Sequence, residues 1–253
     1  MTDTRWNPGH IDSTWWTWTS AYGGYVAAMA VAAARDAAPE GTARAARFNL
    51  LRPVGAGELT TAGEVVRAGR RVSIVDGTVA EDGRTAVTCQ LFTGPDGDPS
   101  SAVVPSRPAP DVPMPEACEV IAPQLDLVPF TQHLERRTTD GRSPLAQAGD
   151  DPTFTLWIRW NEPIADPLLA AVMSLDACPP ALYATTTDAL VVPTVEMSVH
   201  FADLSAPLGE WHLVRMTTEQ AGDGWCVDAS DLWSQDGRLV ASCRQTRLVL
   251  PPG

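Results

Sequence analysis

The sequence predicts an α+β protein made of two tandem copies of one unit, each an antiparallel sheet wrapped around a central apolar helix. Three observations carry this reading. Stretches 25–37 and 167–178 are helical in pattern yet almost uncharged, so each must be buried on every side. Each is preceded by a β-rich stretch and followed by four more, separated by turn residues. Residues of one half also return in the other. Asp82-Gly83-Arg84 reappears as Asp236-Gly237-Arg238, Cys89 as Cys243 and Pro53 as Pro207, all 154 positions on, with Phe48 and Phe201 153 apart.

Along the chain, 13–19 (STWWTWT) alternates and reads as a strand, which Ala21-Tyr22-Gly23-Gly24 breaks. The helix over 25–37 carries no charge before Arg35, and its alanine surface lets a sheet approach closely. Strands are predicted at 44–51, 58–66, 72–79 and 85–92. Their separators are Pro53-Val54-Gly55, Arg67-Ala68-Gly69-Arg70-Arg71 and Glu81-Asp82-Gly83-Arg84, the last a hairpin signal. Stretch 94–123 holds eight prolines in thirty residues without a sustained period, as a linker or an extended strap would. Strand-like 128–137 and 153–160 follow. Asp166-Pro167 is an N-cap with proline at the first helical position, and Pro179-Pro180 stops the second helix. Strands resume at 193–201, 211–218, 225–233 and 238–250. The helices are offset by about 143, so some eleven extra residues, near 183–192, lie after the second. The expected division is 1–94 and 124–253 for the two units, with 95–123 between them.

Composition removes several classes of function. With 44% hydrophobic and 19% charged residues the chain is too apolar for disorder. Eighteen basic residues against thirty-one acidic give a net charge of −13, which repels polyanions, so no nucleic-acid partner is expected. All the basic residues are arginine, which excludes both a Schiff-base lysine and a phosphate-loop lysine. The longest low-charge run, 26–34, is far shorter than the ~20 residues a bilayer demands, and no basic stretch precedes an apolar one at the start. A cytoplasmic protein without a membrane partner is expected. Cys89, Cys118, Cys178, Cys226 and Cys243 form no C-x-x-C pair and read as buried free thiols. His10, His133, His200 and His212 show no metal-ligand spacing and read as structural, and neither a metal nor a cofactor is expected. G-x-S-x-G is absent.

Gly23-Gly24-Tyr25 opening an alanine-rich helix, Leu51-Arg52-Pro53 after a strand and Gly69-Arg70-Arg71 before another resemble the first half of hotdog-fold acyl-CoA thioesterases. In the second half Leu175-Asp176-Ala177, 193–201 (PTVEMSVHF), Gly209-Glu210-Trp211-His212-Leu213 and 236–242 (DGRLVAS) through Gln245 resemble the double-hotdog acyl-CoA thioesterase II group. The resemblance implies two tandem hotdog units forming a pseudodimer, acyl-CoA as substrate and a homo-oligomer. It also implies a water held by an aspartate, a threonine and a glutamine. Gln245 matches directly. Glu196 stands at the aspartate, followed by Met197 where the family has histidine. The threonine falls on Glu219 by gapless counting, and a one-residue shift restores Thr218. Asp176 matches a helix-borne aspartate of single-hotdog thioesterases.

A thioester needs only an oriented water, a carboxylate to take its proton and donors for the carbonyl oxygen. Gly23 and Gly24, beside Tyr22, would bare helix N–H groups to substrate, or would simply permit close packing. Asp176, among apolar neighbours, would have a raised pKa, unless it faces solvent. Glu196 alternates onto the strand face opposite Val195 and Met197. Gln245 would orient water by its amide. Arg67, Arg70 and Arg71 would meet CoA phosphates, or form a solvated turn. Trp15, Trp16 and Trp18 would line an acyl tunnel or serve as core. The alternative function is a non-catalytic acyl-thioester binding or scaffold protein, motivated by Glu196-Met197 and Glu219. A hotdog hydratase is disfavoured, since neither predicted helix contains histidine.

Overall fold

Alanine and glycine decide how the first half closes. In the computed structural model, which describes residues 9–18, 20–97 and 104–251, the helix α1 (Gly23–Ala37) lies with its backbone directly on a sheet. A Cβ placed on Gly63 or Gly77 would come within 2.1 Å of the carbonyl oxygens of Ala33 and Ala30 respectively. Only glycine in the sheet and alanine on the helix permit that approach.

Ahead of α1 come β1 (Trp16–Thr17) and β2 (Ser20–Ala21), a two-stranded ribbon of their own. After it come β3 (Thr42–Leu50), β4 (Leu59–Arg67), β5 (Ser73–Glu81) and β6 (Arg84–Gly94). The second half holds β7 (Glu119–Val120), β8 (Leu134–Thr138), β9 (Thr153–Trp160), α2 (Pro167–Ala177), β10 (Thr194–Phe201), β11 (His212–Gly222), β12 (Trp225–Ser234) and β13 (Leu239–Leu248). Among the described residues eleven strands form one sheet, ordered β4-β5-β6-β3-β10-β13-β12-β11-β9-β8-β7, antiparallel throughout. The halves join where β3 pairs with β10, Phe48 opposite Met197. α1 packs on β4, β5 and β6 and against α2, which faces β11, β12 and β13. Apolar side chains of both helices and both sheet halves form one continuous core.

The repeat seen in sequence has a structural counterpart. Asp82-Gly83 turns β5 into β6, with both residues at positive φ (50° and 75°), and Asp236-Gly237 lies in the β12–β13 turn. Cys89 faces Phe48, whereas Cys243 faces Val199. The counterpart of Phe48 is therefore Val199, not the Phe201 that spacing suggested.

Three further expectations change. Stretch 13–19 is not a strand of the sheet: Ser13–Trp15 is a 3-10 turn capped by Asp12, whose side chain accepts from the Thr14 N–H at 2.8 Å. Aromatic packing accounts for this, since Trp15 stacks on His133 with centroids 3.9 Å apart. Position 19 lies outside the described residues. Helix α1 starts at Gly23, two residues early, because helix N-termini tolerate glycine. Strand 128–137 begins only at Leu134, because Pro129 opens a 3-10 turn over Pro129–His133.

Positions 98–103 of the proline-rich stretch lie outside the described residues, and 104–118 straps the outer face of the second half. The indole of Trp157 donates to the Pro113 carbonyl at 2.9 Å and that of Trp233 to the Arg107 carbonyl at 3.1 Å. Trp157, Trp211, Leu213 and Trp233 form a second apolar cluster beneath it, with Cys118 against them. Cys118 is only half-buried, unlike the other four thiols, because it belongs to this surface strap. Among the described residues no helix is long and apolar enough to cross a membrane.

Candidate active site

α1 begins without a cap of its own. Its N-cap is Tyr22, whose side chain makes no capping bond; the phenol instead reaches across to donate to the carbonyl of Met173 in α2, and the ring stacks on Phe130 at 4.1 Å. A helix N-terminus leaves its first N–H groups unpaired and carries partial positive charge. Here the compensating carboxylate comes from the other helix. Asp176, in the last turn of α2, accepts from the Gly24 N–H. A Cβ on Gly23 would lie 2.9 Å from its Oδ2. Gly23 therefore lets the carboxylate of one unit meet the helix of the other.

Behind Asp176 runs a buried polar chain. Gln245 Nε2 donates to Asp176 Oδ1 at 2.7 Å, and Gln245 Oε1 accepts from Arg247 at 2.5 Å, which fixes the orientation of the amide. Arg247 also donates to Thr194 Oγ1 at 2.8 Å and pairs through Nε with Asp228 Oδ2 at 2.8 Å. The other oxygen of Asp228 accepts from Thr218 Oγ1 at 2.6 Å. Every charged member has an opposite charge beside it, as burial requires. For Asp176 burial is the largest influence and raises the pKa above the usual carboxylate range, against the pull of Arg247, Gln245, Gly24 and Thr194.

Two bulges set which side chains join. One between Thr194 and Glu196 leaves Thr194 opposite Arg247 and Met197 opposite Gln245. Glu196 turns to the other face, where it accepts from Arg47 Nε at 3.1 Å and from the Ser198 hydroxyl. The other, between Thr218 and Gln220, makes Glu219 the extra residue. Thr218 is thus opposite Asp228, while Glu219 is exposed and pairs with Arg244.

Asp176 opens onto a cavity of ≈ 630 Å³ whose lining is mainly apolar. Tyr22, Gly23, Asp176, Phe130, Arg136 and Arg247 are among its walls. Of the residues marked in the sequence, Tyr22, Gly23 and Asp176 line it, and Gly24 and Gln245 stand behind the wall, bonded to Asp176. Thr218 does not reach the cavity; its hydroxyl is committed to Asp228. Glu196 is on the wrong face of β10 to share a water with Gln245. Arg67, Arg70 and Arg71 are exposed around the β4–β5 turn, away from the cavity. Trp18 lines the cavity, whereas Trp15 and Trp16 pack against the core. Arg136, Thr194, Asp228 and Arg247 were not anticipated. Arg247 had a signal: two positions after Gln245 on a strand, it had to share that residue's face.

Comparison with known proteins gives consistent matches over both halves. Residues 12–94 match the acyl-CoA thioesterase N-terminal domain and residues 107–249 the acyl-CoA thioesterase C-terminal domain. A hot dog fold protein of unknown function from Alicyclobacillus acidocaldarius superposes with a TM-score of 0.85 at 22% identity, over 96% of this chain and 92% of that one. A proposed thioesterase II from Thermobifida fusca YX superposes at 0.83 with 26% identity, over 95% and 90%. An uncharacterized protein of Mycobacterium tuberculosis is 25% identical over 274 aligned residues, covering 95% of this chain and 90% of the relative. The tandem hotdog architecture expected from the sequence is the architecture of this chain.

Proposed function

This chain belongs to the acyl-CoA thioesterase family, and from that premise we propose that it hydrolyses acyl-CoA to free carboxylic acid and CoA where α1 begins and α2 ends. Asp176 is the base. A water held by its carboxylate adds to the thioester carbonyl carbon while its proton passes to Asp176. The carbonyl oxygen gains the negative charge, and the N-terminal N–H groups and dipole of α1 stabilise it. The oxyanion then collapses, the C–S bond breaks, and Asp176 returns the proton to the CoA sulfur. Gln245 positions the carboxylate, and Arg247 positions Gln245.

The observation that carries this reading is the meeting of a buried, pKa-raised carboxylate from one helix with the uncapped N-terminus of another, at the wall of an apolar cavity. Proton uptake by a carboxylate is more effective as its pKa rises toward working pH. Steady-state release of CoA thiol from a panel of acyl-CoAs tests it. Turnover is expected, and Glu196→Gln is expected to stay within about twofold of the parent, since an exposed ion pair of this kind contributes little. No turnover on any acyl-CoA, with tight binding of one, would install the alternative of a non-catalytic acyl-thioester binding protein. One observation favours that alternative: none of Glu196, Thr218 and Gln245 lines the cavity.

A further inference from the structure

Among the described residues three arginines line the cavity, and two are accounted for. Arg247 is held by Asp228, Gln245 and Thr194. Arg52 spends its guanidinium on the carbonyls of Glu81, Arg84 and Thr85 around the β5–β6 turn. Arg136 is different. It lies on β8, facing inward between Leu134 and Thr138, with only 6% of its surface accessible. Its guanidinium forms no ion pair and no side-chain hydrogen bond among the described residues. The ionisable groups that act on it are the Cys178 thiol and the Tyr22 phenol. Burial pushes both of those pKa values up, that of Cys178 to about 12, so both are neutral and neither balances the charge.

An unpaired guanidinium in a low-dielectric site costs several kcal/mol unless a ligand completes it. The chemistry that completes it is an acceptor-only, planar anion, for which the five-donor fork of arginine is suited. Phosphates of CoA fit poorly here. They belong to a large hydrated nucleotide, whereas Arg136 sits among Ile121, Phe130 and Cys178 on the cavity wall. The part of an acyl-CoA that enters such a wall is the acyl chain.

Resting on the thioesterase reading above, we propose that the preferred acyl group ends in a carboxylate, so that the substrates are mono-CoA thioesters of dicarboxylic acids, and that Arg136 binds the distal carboxylate. The test compares kcat/KM for adipoyl-CoA with hexanoyl-CoA and for suberoyl-CoA with octanoyl-CoA. The parent is expected to prefer the carboxylated member of at least one pair by about tenfold or more, as charge-assisted bidentate contacts do. In Arg136→Met that preference ratio is expected to fall by about tenfold or more, to near one. The melting temperature of the ligand-free variant is expected to rise, because an uncompensated buried charge has been removed. A structural arginine would lower it. Binding of non-hydrolysable thioether analogues of the same pairs, measured by calorimetry, reads the preference without turnover and without the variant. Hydrolysis of plain acyl-CoA with no preference for the carboxylated chain overturns the assignment of Arg136 and leaves the thioesterase reading standing. Preferential binding of the carboxylated analogue without any hydrolysis does the reverse. Equal binding of both analogues overturns the proposal in either case.

Discussion

The N-termini of α1 and α2 occupy corresponding places in the two units and are used in opposite ways. α2 is capped from within: Asp166 accepts from the N–H groups of Leu168 and Leu169 at 2.9 and 3.2 Å and pairs with Arg35 at the far end of α1. α1 has no such cap, and its N–H groups meet Asp176 across the unit boundary. A self-capped terminus is a closed structural joint. An uncapped one with a carboxylate from elsewhere is a place where a substrate carbonyl can compete for the donors.

The sheets repeat the contrast. Counting 154 back along the last strand, Gln245 and Arg247 correspond to Leu91 and Thr93, and 153 back along its neighbour Asp228 corresponds to Val75. Leu91 and Val75 are fully buried. The cavity of ≈ 340 Å³ beside Arg35, Leu91 and Leu168 therefore has Leu91 and Thr93 where the Asp176 site has Gln245 and Arg247. Duplication supplied two frames, and a polar chain was built into one.

The largest effect should come from helix spacing. Gly77→Val drives a side chain into the Ala30 carbonyl and should cost about 4 kcal/mol of stability. Its counterpart opposite Cys243 is Ser230, whose buried hydroxyl meets the Cys243 thiol. Ser230→Ala should cost about 1 kcal/mol or less. Urea unfolding of the two variants checks both, and similar losses would show that the two helices sit equally close.

Next comes acid sensitivity, which should belong to the second unit. His212 is buried, and burial lowers its pKa to about 4 against the opposing pull of the Trp211 backbone. Its folded pKa lies below the unfolded value of about 6.5, so the unfolded chain takes up the proton first. Stability is full above about pH 6.5 and falls by about 3 kcal/mol on descending to pH 4. The corresponding residue of the first unit is Leu59. His212→Leu should flatten the pH dependence over that range; an unchanged slope would mean that His212 stays solvated. The smallest effect should come from the closed joint. Asp166→Ala removes a cap and should cost about 1 kcal/mol in thermal or urea unfolding.

Much of the frame was legible because its signals are local. Asp166-Pro167 and Pro179-Pro180 bracket α2, and Asp82-Gly83 and Asp236-Gly237 mark their turns. The pairing of Gly23 with Asp176 was accessible once two helices were placed side by side. The face of Glu196 was readable by alternation, but its separation from Gln245 depends on the bulge at Thr194/Glu196, which no residue type announces. The same holds for Thr218 and Glu219. Arg136 escaped notice because its meaning lies in an absent partner, a property of three-dimensional packing and not of residue spacing. Trp15 carries strong strand preference, yet stacking on His133 and a tilted contact with Tyr25 overrode it.

The most direct test sets the two helix-end carboxylates against each other, by measuring acyl-CoA turnover in Asp176→Asn and Asp166→Asn beside the parent. Asp176→Asn keeps the shape that accepts from Gly24 and removes the basicity, so kcat should fall by about 100-fold or more with KM changed only a few-fold. Asp166→Asn should turn over at the parental rate. A folded Asp176→Asn that hydrolyses acyl-CoA as fast as the parent, or an equal loss in both variants, would contradict the assignment of the chemistry to the open end of α1.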